Sequence, residues 1–194
     1  MKLVIIFGPP AVGKAAVGAA VCERYGFKLF HNHVSVDAIT QVFEWGSPAF
    51  SRLVESIRRD FITEAAEADI DLVFTFVWDL DELADQAIME RYAGIVTSRG
   101  GNVYFVELAA DQDERIRRNV LPERLAMKRR TSESGTPEWI RRVDREHRLN
   151  TDADHPFPLR APYVHVDTMR LHPLAAAELV AREFAFADPM PGDQ

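Results

Sequence analysis

Short unbroken apolar runs alternate along this chain with stretches whose apolar residues recur every three or four positions. The runs at 3–7 (Leu3, Val4, Ile5, Ile6, Phe7), 28–30, 72–78, 103–108 and 163–166 have the length of strands. A strand buried on both faces reads as a continuous apolar run, and alternation with helical periodicity is the pattern of βαβ units around a parallel sheet. The chain is therefore predicted to be α/β, with helices covering both faces of a five-stranded parallel sheet.

The intervening segments carry helix signals. Residues 13–24 place Val17, Ala20 and Val21 on one face, and 35–43 reads as a short helix. Phe50, Leu53, Val54, Ile57 and Phe61 form the apolar stripe of a helix over 48–68, with Ser47 as N-cap and Pro48 at its first position. Leu83, Ala87, Ile88, Tyr92 and Ile95 mark another over 80–98, stopped by Gly100 and Gly101. Asp111 and Glu114 resemble a capping box for a helix reaching Asn119. Thr136, Pro137 and Glu138 open the next, and Pro173 begins a last one ending near 184. The proline- and glycine-rich tail at 188–194 is expected to be flexible.

Length and composition narrow the picture. At 194 residues, 47% hydrophobic and 27% charged, residues 1–194 are expected to form a single domain. Thirty acidic against 23 basic residues give a net charge of −7, which argues against a broad nucleic-acid-binding face. The single cysteine, Cys22, excludes an internal disulfide and a multi-cysteine zinc site, and reads as a small buried hydrophobe. With no leader-like N-terminus and no apolar run near the roughly 18 residues of a membrane span, a soluble, cytoplasmic protein is expected. Against the acidic background, Arg115, Arg117, Arg118, Arg124, Lys128, Arg129 and Arg130 form one basic cluster. It is either a solvated helix face or a phosphate-contacting segment.

Gly8, Pro9, Pro10, Ala11, Val12, Gly13 and Lys14 follow the first strand and open the first helix, matching the GxxxxGK part of a phosphate-binding loop. Glycines let successive amides turn inward, the helix N-terminus adds its positive dipole end, and a lysine reaches the β- and γ-phosphates. The motif's following Ser or Thr, a ligand of Mg²⁺, is here Ala15, with Ala16 behind it. Either other groups hold the metal through water or turnover is weak.

On these residues the chain resembles P-loop kinases of the shikimate, gluconate and nucleoside-monophosphate type, including chloramphenicol-phosphotransferase-like proteins. GPPAVGK followed by FHNH is similar to shikimate-kinase-like ATP-binding proteins. The resemblance implies a P-loop NTPase three-layer αβα sandwich with a mobile helical lid near 118–135, and ATP and Mg²⁺ as cofactors. It implies that Gly8 to Ala16 cradle phosphates, that Arg115, Arg118 and Arg124 contact nucleotide, and that Asp167, Thr168 and Met169 border the adenine. His31, Asn32 and His33 stand where shikimate kinases carry two carboxylates.

Smaller features have two readings each. His31 and His33, at i and i+2 on a strand end, share a face; they bind an acceptor or are a hydrogen-bonded pair. They are not an HNH nuclease signature. Asp37 is a general base toward an acceptor hydroxyl, as in the phosphotransferase-like relatives, or a first-turn carboxylate favoured by the helix dipole. Asp79, after the third strand, faces Mg²⁺ through water or caps a helix. Arg52 and Arg58 hold an anionic acceptor or are exposed. Together these features predict an ATP-dependent kinase of a small metabolite, monomeric or homodimeric, binding neither nucleic acid nor membrane. The alternative is a nucleotide-binding P-loop protein with little turnover.

Overall fold

The apolar runs become β1 (Lys2–Phe7), β2 (Lys28–His31), β3 (Leu72–Thr75), β4 (Asn102–Ala109) and β5 (Tyr163–Asp167) in the computed structural model, which describes residues 1–121 and 134–187. All pair in parallel in the order β2-β3-β1-β4-β5. The described helices are α1 (Lys14–Tyr25), α2 (His33–Ile39), α3 (Pro48–Glu67), α4 (Leu83–Thr97), α5 (Gln112–Asn119), α6 (Pro137–Glu146) and α7 (Pro173–Glu183). Among the described residues no helix is long and apolar enough to cross a membrane.

The two-residue period of the central strand builds the three layers. Leu3, Ile5 and Phe7 point to one face, where Ile62 of α3 and Met89, Tyr92 and Val96 of α4 close over them. Val4 and Ile6 point to the other, against Val17 and Val21 of α1 and Ala176, Ala177 and Val180 of α7. All five side chains are fully buried, which is why β1 reads as an unbroken apolar run.

Several expected boundaries shift for local reasons. The third run pairs in register only through Thr75, because β1 ends at Phe7 and β2 at His31. Phe76 makes the last ladder bond, to Ile6 O at 3.0 Å. Trp78 is instead a core residue, with ring centroids 5.1 Å from Phe7 and 6.0 Å from Phe105. Helix α4 starts at Leu83 rather than 80, since Leu80 N–H donates to Arg148 O at 2.8 Å and Asp81 N–H to Asp79 Oδ1 at 3.1 Å. Helix α2 begins at His33, two residues before the expected start, and ends at Ile39.

Ser47 and Thr136 cap as expected, accepting from Phe50 N–H at 3.2 Å and Trp139 N–H at 3.1 Å. Asp111 makes no side-chain capping bond. The Glu114 carboxylate binds Arg117 and Arg118 at 2.7 Å, so no reciprocal box forms. Arg124, most of the expected lid and the expected tail lie outside the described residues.

One buried carboxylate fastens the chain after α6 to the sheet. Glu107 of β4 is fully buried. It accepts from Asn150 Nδ2 and Thr151 N–H at 2.8 Å, Thr151 Oγ1 at 2.9 Å and the Tyr163 hydroxyl at 2.6 Å. Glu107→Ala strands these donors and is expected to cost about 3 kcal/mol in chemical denaturation, with Glu107→Gln costing less. Equal stability of Glu107→Ala and the parent would contradict the network's role.

Candidate functional site

The turn from β1 into α1 has a backbone that could cradle an anion. Gly8 and Gly13 adopt φ of 129° and 106°, and Ala11 sits in the left-handed region at 64°. A Cβ at Gly8 would lie 2.3 Å from the Leu108 carbonyl oxygen, so only glycine lets the loop lie this close to β4. No side chain caps α1, leaving its first amides and its dipole end toward the cleft. Lys14 Nζ folds back onto the Gly8 and Pro9 carbonyls at 2.6 and 2.8 Å.

Beside the loop, Arg118 and Thr168 lock three segments together. Thr168 follows β5 and is 3% exposed. Its hydroxyl lies 3.0 Å from both Val12 O and Ala109 O. Arg118 of α5 donates from Nη1 to Thr168 Oγ1 at 3.0 Å and Val12 O at 3.3 Å, and from Nη2 to Thr168 O at 2.7 Å. Glu114 holds the same guanidinium through Nε at 2.7 Å. Arg118 therefore reaches the phosphate loop itself.

A cleft of about 1280 Å³ runs over the carboxyl ends of the strands, where doubly wound sheets place ligands. Of the residues singled out from sequence, Pro10 to Ala16, His31, His33, Arg58, Asp79, Arg118, Thr168 and Met169 line it. Gly8, Asp37, Arg52 and Asp167 do not. Pro9 and Arg115 instead line a separate small pocket. Arg115 is buried, forked onto Asp144 of α6, and donates to Ala110 O at 3.0 Å, which ties α5 to α6. Asp167 accepts from Met169 N–H at 2.8 Å, and the Arg52 guanidinium is spent on Pro48 O at 3.1 Å.

His31 and His33 meet at the cleft by a different route from the one expected. Asn32 is helical and His33 starts α2, so they do not share a strand face, yet their ring centroids are 6.0 Å apart. His33 Nδ1 lies 3.9 Å from Asp37 Oδ1, and Asp37 itself does not line the cleft. Arg58 is 8% exposed rather than solvated. It donates to Ser35 Oγ at 3.1 Å and to Asn32 Oδ1, and lies over the Phe76 ring at 5.2 Å. Burial pushes its pKa down from the usual guanidinium range, partly offset by Tyr92, Glu55 and Asp85.

The residues fit a nucleoside triphosphate, through the Gly8 cradle and Lys14. They fit Mg²⁺ less directly, since Ala15 offers no oxygen and the described residues hold no cluster of three His, Cys, Asp or Glu ligands. Asp79 lies in the cleft, but Oδ1 accepts from Asp81 N–H at 3.1 Å and Oδ2 is 2.7 Å from His147 Nδ1. It would serve a metal only through water.

Much of the cleft wall was missed from sequence. Trp139, Arg142, Val143 and Glu146 of α6 line it at helical spacing, followed by His147. That stripe was legible as a three- and four-residue repeat, whereas Trp45, Glu55 and Asp85, also lining, carry no local signal.

No protein-family model matches the sequence, and no curated protein is similar to it. Solved structures are similar in fold. A sugar kinase from Janibacter sp. superposes with TM-score 0.63 at 13% identity, covering 96% of each chain. Shikimate kinase from Acinetobacter baumannii, solved with shikimate, gives 0.57 at 16% identity over 95% of this chain and 92% of that one. A tunicamycin resistance protein from Deinococcus radiodurans gives 0.57 at 18% identity over 98% and 100%. The chain has the αβα fold of shikimate-kinase-like P-loop NTPases.

Burial of His31 is expected to make stability depend on pH. Burial pushes its pKa below the ordinary imidazole value, with Asp37 opposing weakly, and the buried Nδ1 has no hydrogen-bond partner among the described residues. The fold thus favours neutral His31, and that contribution is complete above the unfolded pKa of about 6.5 and lost as pH falls through the folded value. Unfolding free energy should decline on acidification below about pH 6.5, and His31→Gln should flatten that limb; an unchanged limb would contradict it.

Proposed function

We propose that this protein is an ATP-dependent phosphotransferase acting on a small metabolite. The observation that carries the reading is the Gly8–Lys14 loop, set at the uncapped N-terminus of α1 and opening into a cleft that extends to both sides of β1. The kinase names of the neighbours in fold, for sugar and for shikimate, agree with it.

In this reading the amides of residues 11–15 and Lys14 bind the β- and γ-phosphates, and Arg118 adds positive charge where the phosphate loop meets α5. Thr168 and Met169 border the adenine. Mg²⁺, when bound, would neutralise charge on the phosphate oxygens, and Asp79 would hold it through water. His31, His33 and Arg58 orient the acceptor, and Asp37 acts on its hydroxyl through His33. Phosphoryl transfer needs little from the protein beyond positioning and charge stabilisation, so this set suffices without a covalent nucleophile.

Ala15 favours a second reading, a nucleotide-binding protein with little turnover. Coupled measurement of ADP release with MgATP and a panel of hydroxylated metabolites separates the two. Lys14→Ala should reduce kcat/KM about 100-fold or more, as loss of a transition-state donor does. Undiminished transfer by Lys14→Ala would contradict the proposal, and nucleotide binding without transfer to any acceptor would favour the second reading.

A further inference from the structure

Among the described residues, two buried side-chain nitrogens have no hydrogen-bond partner, Nε1 of Trp78 and Nδ1 of His31. Trp78 belongs to the aromatic core beside Phe7 and Phe105 and does not line the cleft. His31 does. It is in register with Thr75 of β3, which is in register with Ile6 of β1. Two strand spacings, about 10 Å, therefore separate His31 from the strand that runs into the phosphate loop. With Nδ1 turned inward, Nε2 is the ring nitrogen left to face the cleft.

The polar atoms of the adjoining residues are already engaged. Thr75 Oγ1 accepts from Asn32 N–H at 3.1 Å, and Asn32 Oδ1 accepts from Arg58. Ser35 Oγ accepts from Arg58 Nε at 3.1 Å and donates to Asn32 O at 3.0 Å. A neutral imidazole has one N–H donor and one bare acceptor nitrogen, whereas an imidazolium has two donors. A proton on Nδ1 would be a buried donor without an acceptor, which folded proteins tolerate less readily than an unfilled acceptor. Both the imidazolium and the Nδ1–H tautomer carry that proton, and the Nε2–H tautomer does not. Burial of the ring also works against the imidazolium, with Asp37 opposing it. The charged and titratable groups around the ring are His33 and Asp37 of α2, and Arg58 of α3 through Asn32.

We infer that His31 is a fixed neutral donor: with its proton on Nε2, it gives one hydrogen bond to an oxygen of the molecule bound in the β2–β3 half of the cleft and takes no proton from it. The two histidines then divide the work. His33 has the Asp37 carboxylate 3.9 Å from its Nδ1 to support a positive ring, and among the described residues His31 has no carboxylate that close. The inference deepens the phosphotransferase reading and rests on it only for calling the bound molecule the acceptor.

The test uses the full chain with ¹⁵N-labelled histidine, the His31 ring resonances being identified by their loss in His31→Gln. Long-range proton–nitrogen correlations should show Nε2 carrying the proton and Nδ1 bare, and His31 should protonate below the ordinary imidazole value of about 6.5. A proton on Nδ1, an average of the two tautomers, or protonation at or above that value overturns the inference. The donor role is read with glycerol, myo-inositol, gluconate and shikimate as probes, each added with a non-hydrolysable ATP analogue. At least one should move the Nε2 resonance saturably. His31→Gln, whose amide nitrogen falls near the place of Nε2, should keep that probe's affinity within about threefold, while His31→Asn loses about tenfold with nucleotide affinity unchanged. Failure of every probe to move Nε2, or full affinity in His31→Asn, overturns the donor role. Probe binding with this dependence but no ADP release from MgATP supports the inference and counts only against the phosphotransferase reading.

Discussion

Residue 8 leaves the central strand with no room for a side chain, since a Cβ there would press on the Leu108 carbonyl at 2.3 Å. That approach holds the phosphate loop against β4, and the positive φ at Gly8, Ala11 and Gly13 curls it into the N-terminus of α1. The functional geometry follows from this one close contact. Because β1 is central and buried on both faces, the loop emerges at mid-sheet with strands on either side. The cleft therefore has two flanks joined across one anion cradle.

Arg118 and Thr168 extend the constraint. Their bonds to Val12 O tie the loop to α5 and to the segment after β5, so the basic helix and the cradle are one unit. Farther out, Leu80 N–H to Arg148 O, Arg148 to Asp81 at 2.6 Å and His147 to Asp79 fasten the end of α6 to the segment after β3. Two polar clasps thus hold the cleft walls, one between the loop, α5 and the segment after β5, the other between α6 and the segment after β3.

Legibility in the sequence followed the range of the physics. The β1–α1 turn was readable because its signal is local: glycines, a lysine and a helix start within seven residues. The inner strands β1, β3 and β4 were readable because burial on both faces writes continuous apolar runs, while the edge strands β2 and β5 are only partly buried; Ser47 and Thr136 were readable because capping is a three-residue interaction. The run at 72–78 misled over its last three residues, since hydrophobicity marks burial and not pairing, and Trp78 is buried without a partner strand. Arg58 read as ambiguous because its burial depends on Ser35, 23 positions away. Asp79 met His147 across 68 positions, a pairing no spacing rule reaches.

The central claim is that the β1–α1 turn receives the phosphates of a nucleotide. Backbone amide resonances of ¹⁵N-labelled protein, followed during addition of a non-hydrolysable ATP analogue with Mg²⁺, test it directly. The account predicts saturable binding at one site, with the largest shifts at Gly13, Lys14 and Ala15 and a second group at Arg118 and Thr168. Absence of binding, or shifts that leave residues 8–15 unchanged, would contradict it.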